Sequence, residues 1–244
     1  MVKFVLSLFL LAVLVIGLSY FLRISEFRIG KILIEGNVTL GKEELSASIA
    51  NYLDGKYLDI FVRDNIFVIP KKDIKKRLLT DYPRLKEVTL FRDFPNSLLV
   101  ELKERTPTAL LCVGKQCSFL DEEGFIFEQA PFFSGDTYVK FYDEGEIQGV
   151  KNRLLTDTQF KGIIEFIKQL KLEDVNTSKI TLNKEGLYDI SVLEGWKLKL
   201  NNNIDLDIAL ENLKLVLDRQ IKDNRENLNY IDLRIDNKVF YKFK

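Results

Sequence analysis

The sequence of 244 residues contains no histidine and only two cysteines. Histidine is the usual general base and a frequent zinc ligand, so its absence excludes Ser-His and Cys-His catalytic pairs and most zinc sites. Two cysteines can build neither a Cys₄ metal cluster nor a scaffold held together by several disulfides. The fold must therefore be stabilised by its own hydrophobic core, for which 46% of the residues are available.

An excess of charge of either sign is also missing, because 36 Lys and Arg residues balance 36 Asp and Glu residues. Proteins that bind nucleic acid contact the phosphate backbone with clustered, excess Lys and Arg. The balance therefore argues against a nucleic-acid partner. The length allows one large domain or two small ones.

One long hydrophobic run is present, because residues 4–22 carry no charge. At about 1.5 Å per residue a helix of this length nearly crosses a hydrocarbon core of roughly 30 Å. A cleaved signal peptide is the alternative, since Gly17 and Ser19 have small side chains at the spacing that a signal peptidase prefers. The run continues past that position through residues 20–22, which favours a retained anchor.

We therefore expect residues 1–22 to be a transmembrane anchor with a very short cytoplasmic tail. Few charges flank the run, and they would even favour the opposite orientation. A folded domain of this size is nevertheless translocated largely regardless of flanking charge. We expect everything after the anchor to lie outside the cytoplasm.

The residues after the anchor alternate between strand and helix patterns. Leu45, Ile49 and Leu53 repeat every four residues and predict a helix over residues 42–53. Pro70 opens a second helix, and two alternating apolar stretches joined by the turn at residues 93–96 predict a hairpin. The order strand, helix, helix, strand, strand predicts a three-stranded sheet with both helices on one face.

The second half contains a helix pattern over residues 156–170, where Thr156 and Gln159 stand at the spacing of a capping box. Three strand patterns, a leucine-rich helix and a final pair of strands follow. The overall fold class is α+β. We expect a second, mixed α+β domain with a curved antiparallel sheet and an exposed C-terminal edge strand.

Several short motifs occur in a fixed order: Gly36-Asn37, Pro70 with its helix, residues 82–88, residues 92–98 and residues 104–107. With this series the sequence resembles a POTRA domain, and more narrowly that of the FtsQ/DivIB bacterial cell-division proteins. The string Tyr-Ile-Asp-Leu-Arg at residues 230–234 is similar to the terminal strands of the same family. The resemblance implies a POTRA domain over residues 23–106 and an FtsQ-type β-rich domain over residues 107–244.

The resemblance also implies a partner-binding site at the final strands, where a partner similar to FtsB or DivIC adds a strand of its own. The alternative is that Ile231, Leu233 and Ile235 only fill the core, which alternation requires for one face at least. The residues implied at the docking edge are Arg234, Ile235, Asp236, Asn237, Lys238, Val239, Phe240 and Tyr241.

Cys112 and Cys117 flank a stretch of four residues that a tight turn would close. A disulfide and two free, packed thiols are both compatible with this spacing. A redox enzyme is disfavoured, because no histidine or helix N-terminus is placed to lower a thiol pKa.

Three further features have an ordinary structural interpretation beside a functional one. The acidic groups at residues 121–123 and 143–144 lie in turn-like contexts, so we expect solvated loop charges rather than acid-base catalysis. Trp196 is expected to pack in the core or at an edge. The basic residues between 71 and 77 are expected on the wet face of a helix, with anionic lipid headgroups or an acidic partner as the alternative.

Together these patterns predict a non-enzymatic, single-pass scaffold of the bacterial division machinery that uses no cofactor. The family resemblance implies location at the septum in the cytoplasmic membrane, FtsB/DivIC-like and FtsL-like partners, and an influence on the septal wall synthase. Two alternatives remain open. A POTRA adaptor of protein export would usually add further POTRA copies or a membrane barrel, and an exported wall hydrolase would need an acid-base pair in a cleft.

Overall fold

The computed structural model describes residues 2–57, 61–132, 137–143, 153, 155–183, 186–235 and 238–244. The chain forms two compact units, Met1–Arg105 and Thr106–Lys244. The buried apolar residues of the first unit form one cluster, and those of the second unit form two others. Each unit can therefore be described by itself.

The first unit begins with helix α1 (Val2–Leu22), which is long and apolar enough to cross a membrane. This fits a single-pass membrane protein. A short 3₁₀ turn, Ser25–Phe27, follows it. The remaining elements are β1 (Lys31–Glu35), α2 (Lys42–Leu53), β2 (Lys56–Tyr57), β3 (Phe61–Val62), α3 (Lys71–Asp81), β4 (Leu85–Asp93) and β5 (Ser97–Glu104).

The predicted three-stranded sheet with two helices is confirmed. Its strand order is β1-β5-β4, with β1 parallel and β4 antiparallel to β5. Leu45 and Ile49 of α2 and Ile74 and Leu78 of α3 are buried in one cluster with the apolar side chains of the sheet. The period-four pattern therefore marked the helix faces that pack on the sheet.

Glu104, the last residue of β5, holds the loop that follows β1. Its Oε1 accepts hydrogen bonds from the backbone N–H groups of Val38, Thr39 and Leu40 at 2.8 to 3.0 Å. Burial raises the pKa of this carboxyl group, but the backbone hydrogen bonds lower it by more, so the net pKa is below its usual value. The ionised form of Glu104 is therefore the one that stabilises the loop.

We expect Glu104→Gln to lower the free energy of unfolding of the first unit by about 1–2 kcal/mol at neutral pH, because charged acceptors make the stronger hydrogen bonds. A carboxyl group with a depressed folded-state pKa stabilises the fold above its unfolded pKa of about 4.3. That contribution is lost as the pH falls through the folded-state pKa, so variant and parent should converge in acid. Urea unfolding of the full chain in detergent, followed by circular dichroism, measures both effects.

The control is Glu87→Gln on β4, because Glu87 is exposed and only 3.5 Å from the exposed Lys103. Such a surface pair contributes little to stability. Equal stability of the two variants at neutral pH, or a deficit of Glu104→Gln that persists unchanged in acid, would contradict this account of the loop.

The second unit contains nine strands and two long helices in the residues described. In chain order these are β6 (Ala109–Val113), β7 (Gln116–Leu120), β8 (Ile126–Gln129), β9 (Val139–Asp143), α4 (Asp157–Leu172), β10 (Thr177–Leu182), β11 (Leu187–Val192), β12 (Lys197–Asn201), α5 (Leu206–Val216), β13 (Leu228–Ile235) and β14 (Lys238–Phe243). They form one sheet in the order β14-β13-β12-β11-β10-β9-β6-β7-β8.

The predicted second α+β domain is confirmed, but its sheet contains parallel as well as antiparallel pairs, so the prediction that the sheet is antiparallel was wrong for three pairings. Strand β9 runs parallel to both β6 and β10, and β12 runs parallel to β13. In the sequence α4 lies between β9 and β10, and α5 lies between β12 and β13. A helix that crosses between neighbouring strands returns the chain to the same end of the sheet, which makes those strands parallel.

Helix α4 begins where its capping box predicted. The Gln159 N–H donates to Thr156 Oγ1 at 3.3 Å, and the Thr156 N–H donates to Gln159 Oε1 at 3.2 Å. Phe160, at the start of its apolar face, is fully buried in the same cluster as Trp196. The expectation of Trp196 in the core is confirmed, and its Nε1–H donates to Glu194 at 2.8 Å.

The C-terminal edge strand as a candidate partner-binding site

Strand β14 lies at one edge of the nine-stranded sheet. The Lys244 N–H donates to the carbonyl of Asn227 at 2.9 Å, so the backbone of Lys244 points toward β13. Because backbone groups alternate along a strand, the N–H and C=O groups of Val239, Tyr241 and Phe243 point the other way. Among the residues described, no strand pairs with this side of β14.

The irregularities of the final hairpin lie on its inner strand. The register between β13 and β14 shifts between Leu228 and Tyr230, and again between Asp232 and Ile235. In both places β13 carries the extra residue, as at a β-bulge, while β14 advances without an insertion. The edge strand thus presents an uninterrupted row of backbone groups.

The two faces of β14 have different roles. On one face Val239 and Phe243 pack against the buried cluster that contains Trp196. On the same face the rings of Tyr241 and Phe243 meet edge-on, with their centroids 5.7 Å apart. Phe240 is on the other face with 51% of its surface exposed, between the exposed Lys238 and Lys242. One face therefore fixes the strand in the domain, and the other offers an apolar side chain between two cations.

The side chain of Arg234 is bound within its own strand, and its backbone carbonyl is bound by a residue of β12. Its guanidinium donates to both carboxylate oxygens of Asp232, at 2.8 and 2.5 Å, and its carbonyl accepts from the side chain of Asn201 at 2.7 Å. Burial raises the pKa of Asp232, but the hydrogen bonds from Arg234 lower it by more. The same contact raises the pKa of Arg234, so both groups are charged at neutral pH.

The structure brings most of the predicted edge residues together on two adjacent strands. Ile231 and Leu233 are buried, as the core alternative required, whereas Ile235 is 53% exposed beside the edge. Asp236 and Asn237 lie outside the described residues. The residues placed on β13 and β14 are Arg234, Ile235, Lys238, Val239, Phe240 and Tyr241.

The sequence-based prediction missed the end of the edge strand. It stopped at Tyr241, whereas β14 continues through Lys242 to Phe243. The signal was present, since Val239, Tyr241 and Phe243 alternate with lysine and phenylalanine in the way that a half-buried strand does.

Cys112 and Cys117 are bonded in the structure. They lie directly opposite each other on β6 and β7, with their Cα atoms 4.0 Å apart. The spacing had left a disulfide and two free thiols open, and the structure shows the disulfide. Strand β6 is six strand-to-strand steps from β14, or roughly 29 Å at about 4.8 Å per step, so the disulfide is not part of the edge.

Two residues of the first acidic group, Asp121 and Glu123, make specific contacts within the second unit. Asp121 is buried, and its Oδ1 accepts from the N–H groups of Glu123 and Phe125 at 2.8 and 2.9 Å. The expectation of a solvated loop charge was therefore wrong for Asp121, which holds a turn. Glu123 pairs with Arg153 at 3.2 Å, and Glu144 lies outside the described residues. Within the described part of the chain, no three potential metal-ligating side chains come together.

Comparisons with known proteins agree with this architecture. Residues 27–105 match the family of FtsQ-type POTRA domains, and residues 109–234 match the C-terminal domain of cell division protein FtsQ/DivIB. The chain is 27% identical to the cell division protein FtsQ of Rickettsia typhi over 88% of its own length and 72% of that protein. It is 25% identical to the cell division protein DivIB of Clostridium botulinum strain Hall, over 97% of its own length and 89% of that protein.

Proposed function

Because the chain belongs to the FtsQ/DivIB family of cell division proteins, we propose that it is a non-enzymatic, single-pass scaffold of the division machinery. In this proposal residues 1–22 anchor it in the cytoplasmic membrane. The POTRA domain (residues 23–106) and the C-terminal domain (residues 107–244) then lie outside the cytoplasm at the septum. The scaffold recruits partners similar to FtsB or DivIC and to FtsL, and through them it influences the septal wall synthase.

One observation carries this proposal, namely the outer side of β14, which no strand of the described residues covers. A free edge is a template for a foreign strand, and proteins normally protect such edges by charge, by bulges or by a cover. Here the bulges lie on β13 instead and the edge strand is regular, so its protection among the described residues comes from the charges of Lys238 and Lys242. Backbone hydrogen bonds to Val239, Tyr241 and Phe243 would supply affinity in such a complex.

Side chains around the edge indicate what kind of strand would fit. Phe240 and Ile235 are both about half exposed, and Lys238 and Lys242 flank Phe240. A partner strand with an apolar residue opposite Phe240 and acidic residues on either side would match both features. Side chains of this kind select among strands that would all make the same backbone hydrogen bonds.

Site-specific cross-linking in the native cell tests the proposal. A photoreactive phenylalanine analogue at position 240 should yield an adduct with a small membrane-anchored division protein, identified by mass spectrometry. The matched control is the same analogue at the exposed Gln129 on β8, the opposite edge of the same sheet. Equal adducts at both edges, or none at position 240, would argue against docking at β14.

Depletion of the protein tests the wider role. We expect filamentous cells with unfinished septa, because loss of a scaffold prevents its partners from assembling. Normal division with defective export would favour a POTRA adaptor instead, and normal septation with altered wall turnover would favour a wall hydrolase.

A further inference from the structure

Four phenylalanine rings form a continuous cluster at the C-terminal end of α1. Phe21, in the last turn of α1, lies 5.7 Å from Phe27 and 6.0 Å from Phe67, measured between ring centroids. Phe94 lies 5.8 Å from Phe27 and 6.0 Å from Phe67. We call Phe21, Phe27, Phe67 and Phe94 the aromatic platform. Three members of the platform are substantially exposed, namely Phe21, Phe67 and Phe94, and Phe94 is the most exposed of them at 63%.

The platform is joined to α1 by specific contacts. The buried side chain of Asn65 donates to the carbonyl of Leu22 at 2.9 Å, and its Oδ1 accepts from the Phe67 N–H at 2.9 Å. The Ile66 N–H donates to the carbonyl of Phe27 at 2.8 Å. Leu22 itself is buried. These contacts hold the loop that carries Phe67 against the end of the apolar helix.

We propose that the aromatic platform lies in the interfacial region of the bilayer that α1 spans, and that it seats the POTRA domain on the lipid surface. Phe21 belongs to α1, which is long and apolar enough to cross a membrane, and every other platform ring touches Phe21 directly or through one intermediate ring. Exposed apolar surface continuous with a membrane span is expected to meet lipid rather than water.

The charges beside the platform fit a phospholipid headgroup layer. Arg92 donates to the carbonyl of Phe67 at 3.1 Å, and burial together with the charge of Arg92 lowers the pKa of Lys71. Arg92 therefore lies next to the platform, where its long basic side chain can reach lipid phosphates. Acidic residues also lie near the platform in sequence, namely Glu26, Asp64 and Asp93, and Asp64 pairs with Arg28 at 2.6 Å. The match is therefore to a mixed headgroup layer and not to a purely anionic one.

Depth-dependent fluorescence quenching tests this inference on the full chain. Phe94→Trp is reconstituted in vesicles of phosphatidylethanolamine and phosphatidylglycerol that contain brominated phosphatidylcholine. Trp196 is buried in the second unit and is common to all variants, so the parent chain supplies the background emission to subtract. We expect bromolipid to quench most of the emission that the Phe94→Trp substitution adds, and iodide in the water phase to quench little of it.

The matched control is Val38→Trp. Val38 is 87% exposed. It lies near the end of β5, because its loop is bound by Glu104, the last residue of that strand. Phe94 lies near the other end, three residues before the first residue of β5. The two positions are thus roughly 25 Å apart along a strand of eight residues. The emission added by Val38→Trp should respond to iodide and not to bromolipid.

A second reporter, Phe67→Trp, keeps the test valid if Phe94→Trp does not fold, as judged by loss of cooperative thermal unfolding. Reporters at positions 94 and 67 that respond to iodide as the Val38→Trp control does, without bromolipid quenching, would overturn the inference. This inference rests on the proposed membrane anchor but not on docking at β14. Because docking is measured by a separate cross-link, docking and the seating of the platform can fail independently.

Discussion

If the proposed partner docks on β14, Tyr241→Pro is expected to abolish its co-purification while leaving the C-terminal domain folded. The backbone N–H of Tyr241 points away from β13, so proline removes no hydrogen bond of the domain's own sheet. In the complex it removes one intermolecular hydrogen bond and places its ring where the partner backbone must approach. We expect the affinity to fall by about 100-fold, or about 3 kcal/mol.

Gln129→Pro is the control for this prediction. The Ala130 N–H donates to Cys117 at 2.9 Å, so by alternation the N–H of Gln129 points away from the sheet at its other edge. This proline removes an equivalent outward N–H and should leave partner recovery unchanged. Pull-down of the tagged full chain from detergent-solubilised native membranes, with circular dichroism of each variant, provides the comparison. Recovery of the partner by a folded Tyr241→Pro chain would rule out docking through the β14 backbone.

Ile235→Glu tests the contribution of side chains to the same surface. Because Ile235 is 53% exposed, a charge there should not disturb the core, in contrast to a charge at the buried Leu233. It should reduce partner recovery less than the proline does, since backbone hydrogen bonds are expected to supply most of the affinity.

Gly36→Ala is expected to destabilise the first unit more than the replacement of any other glycine of that unit by alanine. Gly36 has a φ of +81°, and a Cβ atom there would lie 2.0 Å from the carbonyl oxygen of Leu102. That atom belongs to the backbone of β5 and cannot move aside without breaking the sheet. Left-handed strain and this overlap together should cost about 3–4 kcal/mol.

Gly30→Ala is the matched control, because Gly30 directly precedes β1 and a Cβ atom there meets nothing within 4 Å. We expect hydrogen exchange of residues 31–53 to accelerate strongly in Gly36→Ala and to remain near the parent level in Gly30→Ala. Similar exchange in both variants would mean that β1 can shift away from β5, and that the turn does not depend on glycine.

Much of the fold follows from local patterns in the sequence. The helix predicted at residues 42–53 has those bounds in the structure, and α4 begins at the capping box that its spacing indicated. The turn at Gly36-Asn37 was also predictable from a local pattern, because the positive φ of Gly36 strongly favours glycine. These features are local because they depend on residues only a few positions apart.

Pairing between distant strands was not predictable in the same way. Alternation identifies a strand and its buried face, but it does not say whether the neighbouring strand is parallel. The predicted antiparallel sheet was wrong because α4 and α5 act as crossovers, and the direction of a crossover depends on how the helix packs on the sheet. The burial of Asp121 was missed for a related reason. Only the folded turn shows that its carboxylate accepts hydrogen bonds from the N–H groups of Glu123 and Phe125.

The sequence by itself determined the apolar helix, the POTRA pattern and the family, because each depends on the order of residues along the chain. Only the tertiary structure decided that β14 is an edge of the described sheet, that the bulges lie on β13, and that Phe21 contacts Phe67, which in turn contacts Phe94. These features arise from residues far apart in sequence that folding brings within a few ångströms. No local periodicity encodes them.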